Sequence, residues 1–77
     1  MIDKNGAKQP LELDVVALLD DLPGAGLARG QVGTVVQSLD DQTSLVEFSD
    51  DDGRAYATVP CRATNLLVLH YVPEPAE

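Results

Sequence analysis

The 77-residue sequence predicts an all-β fold, a small five-stranded antiparallel barrel, on three observations. Its apolar residues come in short runs broken by Gly, Pro, Asp and Asn at a spacing of about ten residues. Several of these runs alternate apolar and polar positions or are rich in Val, which suits a half-buried pleated strand. Leu, Ile, Val and Phe supply 22 of the 77 residues, above the roughly 20% below which a charged chain stays disordered. The length corresponds to one domain.

The polar stretch 1–10, with Gly6 and Pro10, reads as an N-terminal tail, the segment 11–71 as the barrel, and 72–77, with Pro73 and Pro75, as a C-terminal tail. Leu11, Val15, Leu18, Leu19 and Leu22 fit a helical period, but Leu13, Val15, Ala17 and Leu19 fit alternation equally well. Val15-Val16 and the Asp20-Asp21-Leu22-Pro23-Gly24 stop favour a strand of about six residues. Leu22 to Gly30 is a glycine-rich loop whose leucines can fold back over a core edge. Gln31 to Leu39 is the second strand, where Gly33 marks a bulge or a close approach of another backbone. Asp40 to Thr43 is a turn. Ser44 to Ser49 is the third strand, with Val46 and Phe48 on one face. Asp52-Gly53 suits a hairpin turn in which two successive residues take positive φ. Arg54 to Val59 is the fourth strand, Pro60 to Asn65 a short irregular or 3-10 link, and Leu66 to Tyr71 the fifth. One long loop, two hairpin turns and a one-turn link in this order are the signature of an SH3-like barrel. Closure also answers the exposed-edge problem of an open sheet.

Thirteen acidic against five basic residues give a formal charge of −8. That field repels phosphate backbones and disfavours nucleic acid as a partner. Cys61 is the single cysteine, so no internal disulfide is expected, and His70 is the one other strong zinc-ligand candidate. The first ten residues hold no apolar signal run, and no stretch near 20 apolar residues spans a bilayer. A soluble cytoplasmic protein is the expectation, with no membrane partner.

The candidate sites are modest. Asp50-Asp51-Asp52-Gly53 has the carboxylates for a cation, but a calcium loop wants a glutamate six residues after the glycine, where Val59 stands. No metal, cofactor or catalytic residue is therefore assigned. Cys61 and His70 lack a third orienting group for nucleophilic catalysis. Phe48 is expected in the core, leaving Tyr56 and Tyr71 as the rings available to a peptide groove or to stacked bases. The candidate partner-binding residues are Asp50, Asp51, Asp52, Arg29, Arg54 and Tyr56.

The motifs in order, Leu13-Asp14-Val15-Val16-Ala17-Leu18-Leu19-Asp20-Asp21-Leu22-Pro23, Arg29-Gly30-Gln31-Val32-Gly33-Thr34-Val35-Val36, Val46-Glu47-Phe48, Asp52-Gly53-Arg54-Ala55-Tyr56 and Leu66-Leu67-Val68-Leu69, resemble the small bacterial proteins catalogued as domain of unknown function 4926. That resemblance implies a compact SH3-like barrel and carries no catalytic residues. The Arg29-Gly30-x-x-Gly33-x-Val35 portion is also similar to the barrel domain of nitrile hydratase β subunits and their activators, and more loosely to the ribosomal KOW motif. Glycines there serve the turn into a second strand, so they speak for fold before function.

Size, acidity and the lack of a reactive constellation together predict a non-catalytic protein-interaction module, not an enzyme. Its partner would be a co-encoded protein or a second copy of the chain. The alternatives are a KOW-like nucleic-acid or ribosome-associated barrel, and an accessory, activator-like barrel of a metalloenzyme.

Overall fold

The computed structural model describes residues 9–70 and Pro73. The chain folds as five antiparallel strands: β1 (Val15–Leu18), β2 (Val32–Ser38), β3 (Thr43–Ser49), β4 (Ala55–Arg62) and β5 (Leu66–Val68). Their order across the sheet is β4-β3-β2-β1-β5. A 3-10 turn, Ala63–Asn65, precedes β5, as expected, and a second one, Pro23–Ala25, lies in the β1–β2 loop. The helical reading of residues 11–22 fails because alternate residues of β1, Val16 and Leu18, are buried while Val15 and Ala17 face outward.

Among the described residues the hydrogen-bonded ladder does not close, since β4 and β5 each have a single neighbour there. The sheet is nevertheless strongly curled. In a flat sheet, four strand spacings would put the two edges about 19 Å apart. The link from Arg62 to Leu66 advances four residues, at most about 14 Å even fully extended and roughly 8 Å as a 3-10 turn. Edges tied by so short a link must roll toward each other. A register shift between Val35 and Gln37 leaves Val36 as an extra residue in β2, and such a bulge adds the bend this rolling needs.

The concave face holds one core. Val16 and Leu18 of β1, Val35 of β2, Val46 and Phe48 of β3, Cys61 of β4 and Leu66 of β5 are buried in a single cluster, joined by Leu27 from the β1–β2 loop. Leu22 and Leu27 exchange backbone hydrogen bonds at 2.8 and 3.1 Å, so the loop does fold its leucines over the core edge. Gly33 lies opposite both Val16 and Phe48. A Cβ there would sit 2.7 Å from Val46 Cγ1 and 2.9 Å from both Glu47 O and Phe48 Cδ1. The close approach predicted at Gly33 is thus made chiefly by core side chains, and the bulge falls at Val36 instead. Ser44 is fully buried, and its Oγ finds no hydrogen-bond partner among the described groups.

Two boundaries move. Gln9 and Pro10, assigned to the tail, are anchored: Pro10 is buried and the Gln9 side-chain amide donates to Asp40 O at 2.6 Å and to Ser38 Oγ at 3.1 Å. β4 runs through Pro60 and Cys61 to Arg62; proline is tolerated because β4 is an edge strand. Residues 1–8 of the predicted N-terminal tail, Tyr71 of the predicted last strand, and 72 and 74–77 of the predicted C-terminal tail lie outside the described residues. No helix among the described residues is long and apolar enough to cross a membrane.

Candidate functional site

The aspartates that the sequence concentrates at turns divide into two kinds. One carboxylate in each loop builds the backbone. Asp40 Oδ1 accepts the Gln42 N–H at 2.8 Å, and Asp50 Oδ1 accepts the N–H groups of Asp52 and Arg54 at 2.9 and 3.0 Å. Asp21 Oδ1 accepts the Arg29 N–H at 2.7 Å, and Asp14 Oδ2 that of Leu11 at 2.8 Å. The Asp40–Gln42 and Asp50–Asp52 contacts are Asx-type turns, and in the other two a short acidic side chain likewise stands in for a backbone acceptor. Asp20, Asp41, Asp51 and Asp52 are exposed at the same loops, as are the turn-building Asp21, Asp40 and Asp50.

Asp40 shows the electrostatic consequence. The Gln42 backbone hydrogen bond holds its carboxyl below the usual value of 3.8, with smaller help from Thr43 and from the nearby Arg62 guanidinium, against a little desolvation. Arg62 itself donates from Nη2 to Gln42 Oε1 at 3.0 Å.

The β3–β4 hairpin differs from the turn expected at Asp52-Gly53. Gly53 alone has positive φ, at 81°, and the bonds Gly53 N to Asp50 O and Asp50 N to Arg54 O, 3.0 and 2.9 Å, describe a three-residue loop. A type I turn followed by a left-handed glycine is the standard geometry for that length. The register then slips between Phe48 and Ser49. Tyr56 falls between the paired residues Ala55 and Ala57 and is 48% exposed.

Tyr56 is held from outside its own hairpin. Gln31, just before β2, donates from Nε2 to Tyr56 Oη and accepts the Ala28 N–H on its Oε1 at 2.6 Å. One glutamine thus fastens the β1–β2 loop to the β4 ring. The predicted residues fall at this end of the sheet: Asp50, Asp51, Asp52 and Arg54 on the hairpin, Tyr56 at the start of β4, and Arg29 two residues before Gln31. All of Asp50, Asp51, Asp52, Arg54 and Arg29 are exposed, and Asp50 is also engaged by two turn amides. Gln31 was not among the predicted residues. Its one sequence signal is a polar residue at the mouth of a Val-Gly-Thr-Val strand; its reach to Tyr56 depends on strand order.

The acidic turns do not make one surface. Asp40-Asp41 and Asp50–Asp52 sit at opposite ends of β3, about 20 Å apart along a seven-residue strand. Asp20 instead donates its N–H to Asn65 Oδ1 at 2.8 Å, while Ala63 N bonds Gln42 O at 2.8 Å. The 3-10 turn Ala63–Asn65 therefore lies between the Asp20-Asp21 and Asp40-Asp41 loops.

Cys61 does not have the surroundings of an activated nucleophile. Cys61 is buried opposite Ser44, its Sγ lies 3.6 Å from Val59 O, and burial pushes its thiol up from the usual 9.0. An activated thiolate needs the opposite shift. His70 is exposed. Among the described residues, no three His, Cys, Asp or Glu side chains gather as a metal site.

No curated protein and no solved structure matches this chain. A family model described as a domain of unknown function, DUF4926, matches residues 12–68, from the turn before β1 to the last residue of β5. The chain belongs to that family.

Proposed function

We propose that this chain is a non-catalytic protein-interaction module that receives a basic protein partner at Tyr56 and the Asp50–Arg54 hairpin. The observation that carries the reading is the clamped, half-exposed Tyr56 ring beside exposed Asp51 and Asp52. A tyrosine fixed before binding loses little side-chain freedom on association, and such rings anchor many interfaces. The carboxylates add orientation and, with the −8 formal charge, steer a cationic partner by long-range attraction.

The test is affinity capture from the source cell, followed by reconstitution with the purified captured protein. Tyr56→Ala is expected to weaken that complex about 30-fold, the size of an interface anchor near 2 kcal/mol. The double change Asp51→Asn with Asp52→Asn is expected to slow association and flatten its salt dependence. Unchanged binding by both variants overturns the reading. So does capture of RNA in place of protein at low salt, which would favour a KOW-like barrel.

A further inference from the structure

We propose that a second copy of the chain pairs with the outer edge of β5, giving a two-fold dimer whose sheet runs continuously through both copies. The inference rests on the interaction reading above and assigns a different surface to self-association.

Charge is the first argument. The chain carries 18 acidic and basic residues, yet the segments 15–19, 32–39 and 63–69 contain none. These segments hold β1, β2 and β5, which are adjacent in the sheet. Two molecules of charge −8 repel wherever carboxylates meet; this half of the sheet lets them approach without that cost. A basic partner gains nothing from a neutral surface, and an anionic lipid surface is repelled by the rest of the molecule.

The outer face of the same strands is apolar. Val32 and Leu67 flank Ala17 in register and are 47% and 51% exposed.

The two sheet edges contrast. β4 carries Pro60, ends on Arg62 and slips in register near its start, all features that discourage pairing with another chain. β5 has no proline, no charge and no bulge along Leu66–Val68. Leu19 N bonds Asn65 O and Leu69 N bonds Val15 O, both at 2.9–3.0 Å. Antiparallel alternation therefore turns the main-chain groups of Asn65, Leu67 and Leu69 toward β1 and those of Leu66 and Val68 away from it. Leu66 N–H is used within the 3-10 turn, by Ala63 O. Val68 is left as the residue whose N–H and C=O both address the open edge. A two-fold axis through Val68 lets each copy donate its Val68 N–H to the other's Val68 C=O and sets Leu67 of each copy beside Leu69 of the other. A chain this short gains most from such an arrangement, because alone it buries only about 60% of its unfolded surface.

Sedimentation equilibrium of the full chain from micromolar to millimolar concentration tests this. The expected mass is twice the 8.2 kDa of one chain. Leu67→Lys is expected to weaken association at least tenfold with an unchanged circular dichroism spectrum. Val32→Lys, on the same face but two strands from the edge, is expected to leave the dimer intact. A monomeric wild-type chain overturns the proposal. Loss of the dimer in Val32→Lys as fully as in Leu67→Lys would mean face packing and overturns the edge pairing. Dimerisation that appears only after deletion of residues 1–8 would show the chain's own N-terminus on that edge and equally overturns the proposal. Retention of the captured partner by the Leu67→Lys monomer separates this outcome from failure of the Tyr56 surface.

Discussion

At the scale of single residues, Gly33 and Asp40 show side chains chosen by what surrounds them. Gly33 is the point where Val46 and Phe48 close over β2. Gly33→Ala is expected to lower stability by about 1–3 kcal/mol, as overpacked cores do, read as a lower denaturation midpoint with an unchanged slope. Asp40 is held ionised by the Gln42 N–H. Because its folded value lies below the ordinary 3.8, its contribution is present above pH 3.8 and lost as pH falls through the lower folded value. A carboxyl titration followed by NMR should place the Asp40 midpoint below 3.8, with the Gln42 amide shifting in step. A midpoint at or above 3.8 would remove the hydrogen bond from the account. Gly33 was legible as a close approach because a glycine inside a Val-rich run has few other uses. The division of the aspartates was not legible, since which carboxylate reaches a backbone N–H depends on the turn each loop adopts.

Elements were more legible than their ends. All five strands stand where the β-branched and alternating runs placed them, but β1 buries the other parity from the one its alternation suggested: Val16 and Leu18 face the core while Val15, Ala17 and Leu19 do not, a choice the Val15-Val16 pair leaves open in the sequence. The sequence stops β4 at Val59 because Pro60 reads as a breaker, and only the strand's position on the sheet edge makes that proline harmless. The Asp52-Gly53 pair suggested two positive φ values; Asp50, by capping two amides, selects the longer loop with Gly53 alone in that region. Asp50→Ala should therefore cost about 1 kcal/mol through lost hydrogen bonds to the turn. Asp51→Asn and Asp52→Asn should leave the melting temperature unchanged. Equal destabilisation by all three would contradict the division between turn-building and exposed carboxylates.

For the whole molecule, charge and apolar surface are segregated. Exposed carboxylates mark the loops and the hairpin tip, while β2, β1 and β5 are neutral from end to end. Composition announced the acidity, but its layout depended on strand order, which places the uncharged segments 15–19, 32–39 and 63–69 side by side. The Tyr56 end was half legible: the hairpin residues were named from sequence, and the Gln31 hydrogen bond to the ring came from tertiary contact. The most direct measurement is a titration of the isotopically labelled chain with a lysine-rich peptide, followed by amide chemical shifts. Recognition at the Tyr56 end predicts shifts concentrated at Asp51 to Ala57 and Ala28 to Gln31, with Asp41 moving little. Equal shifts at Asp41 and Asp51, or none at Tyr56, would contradict it.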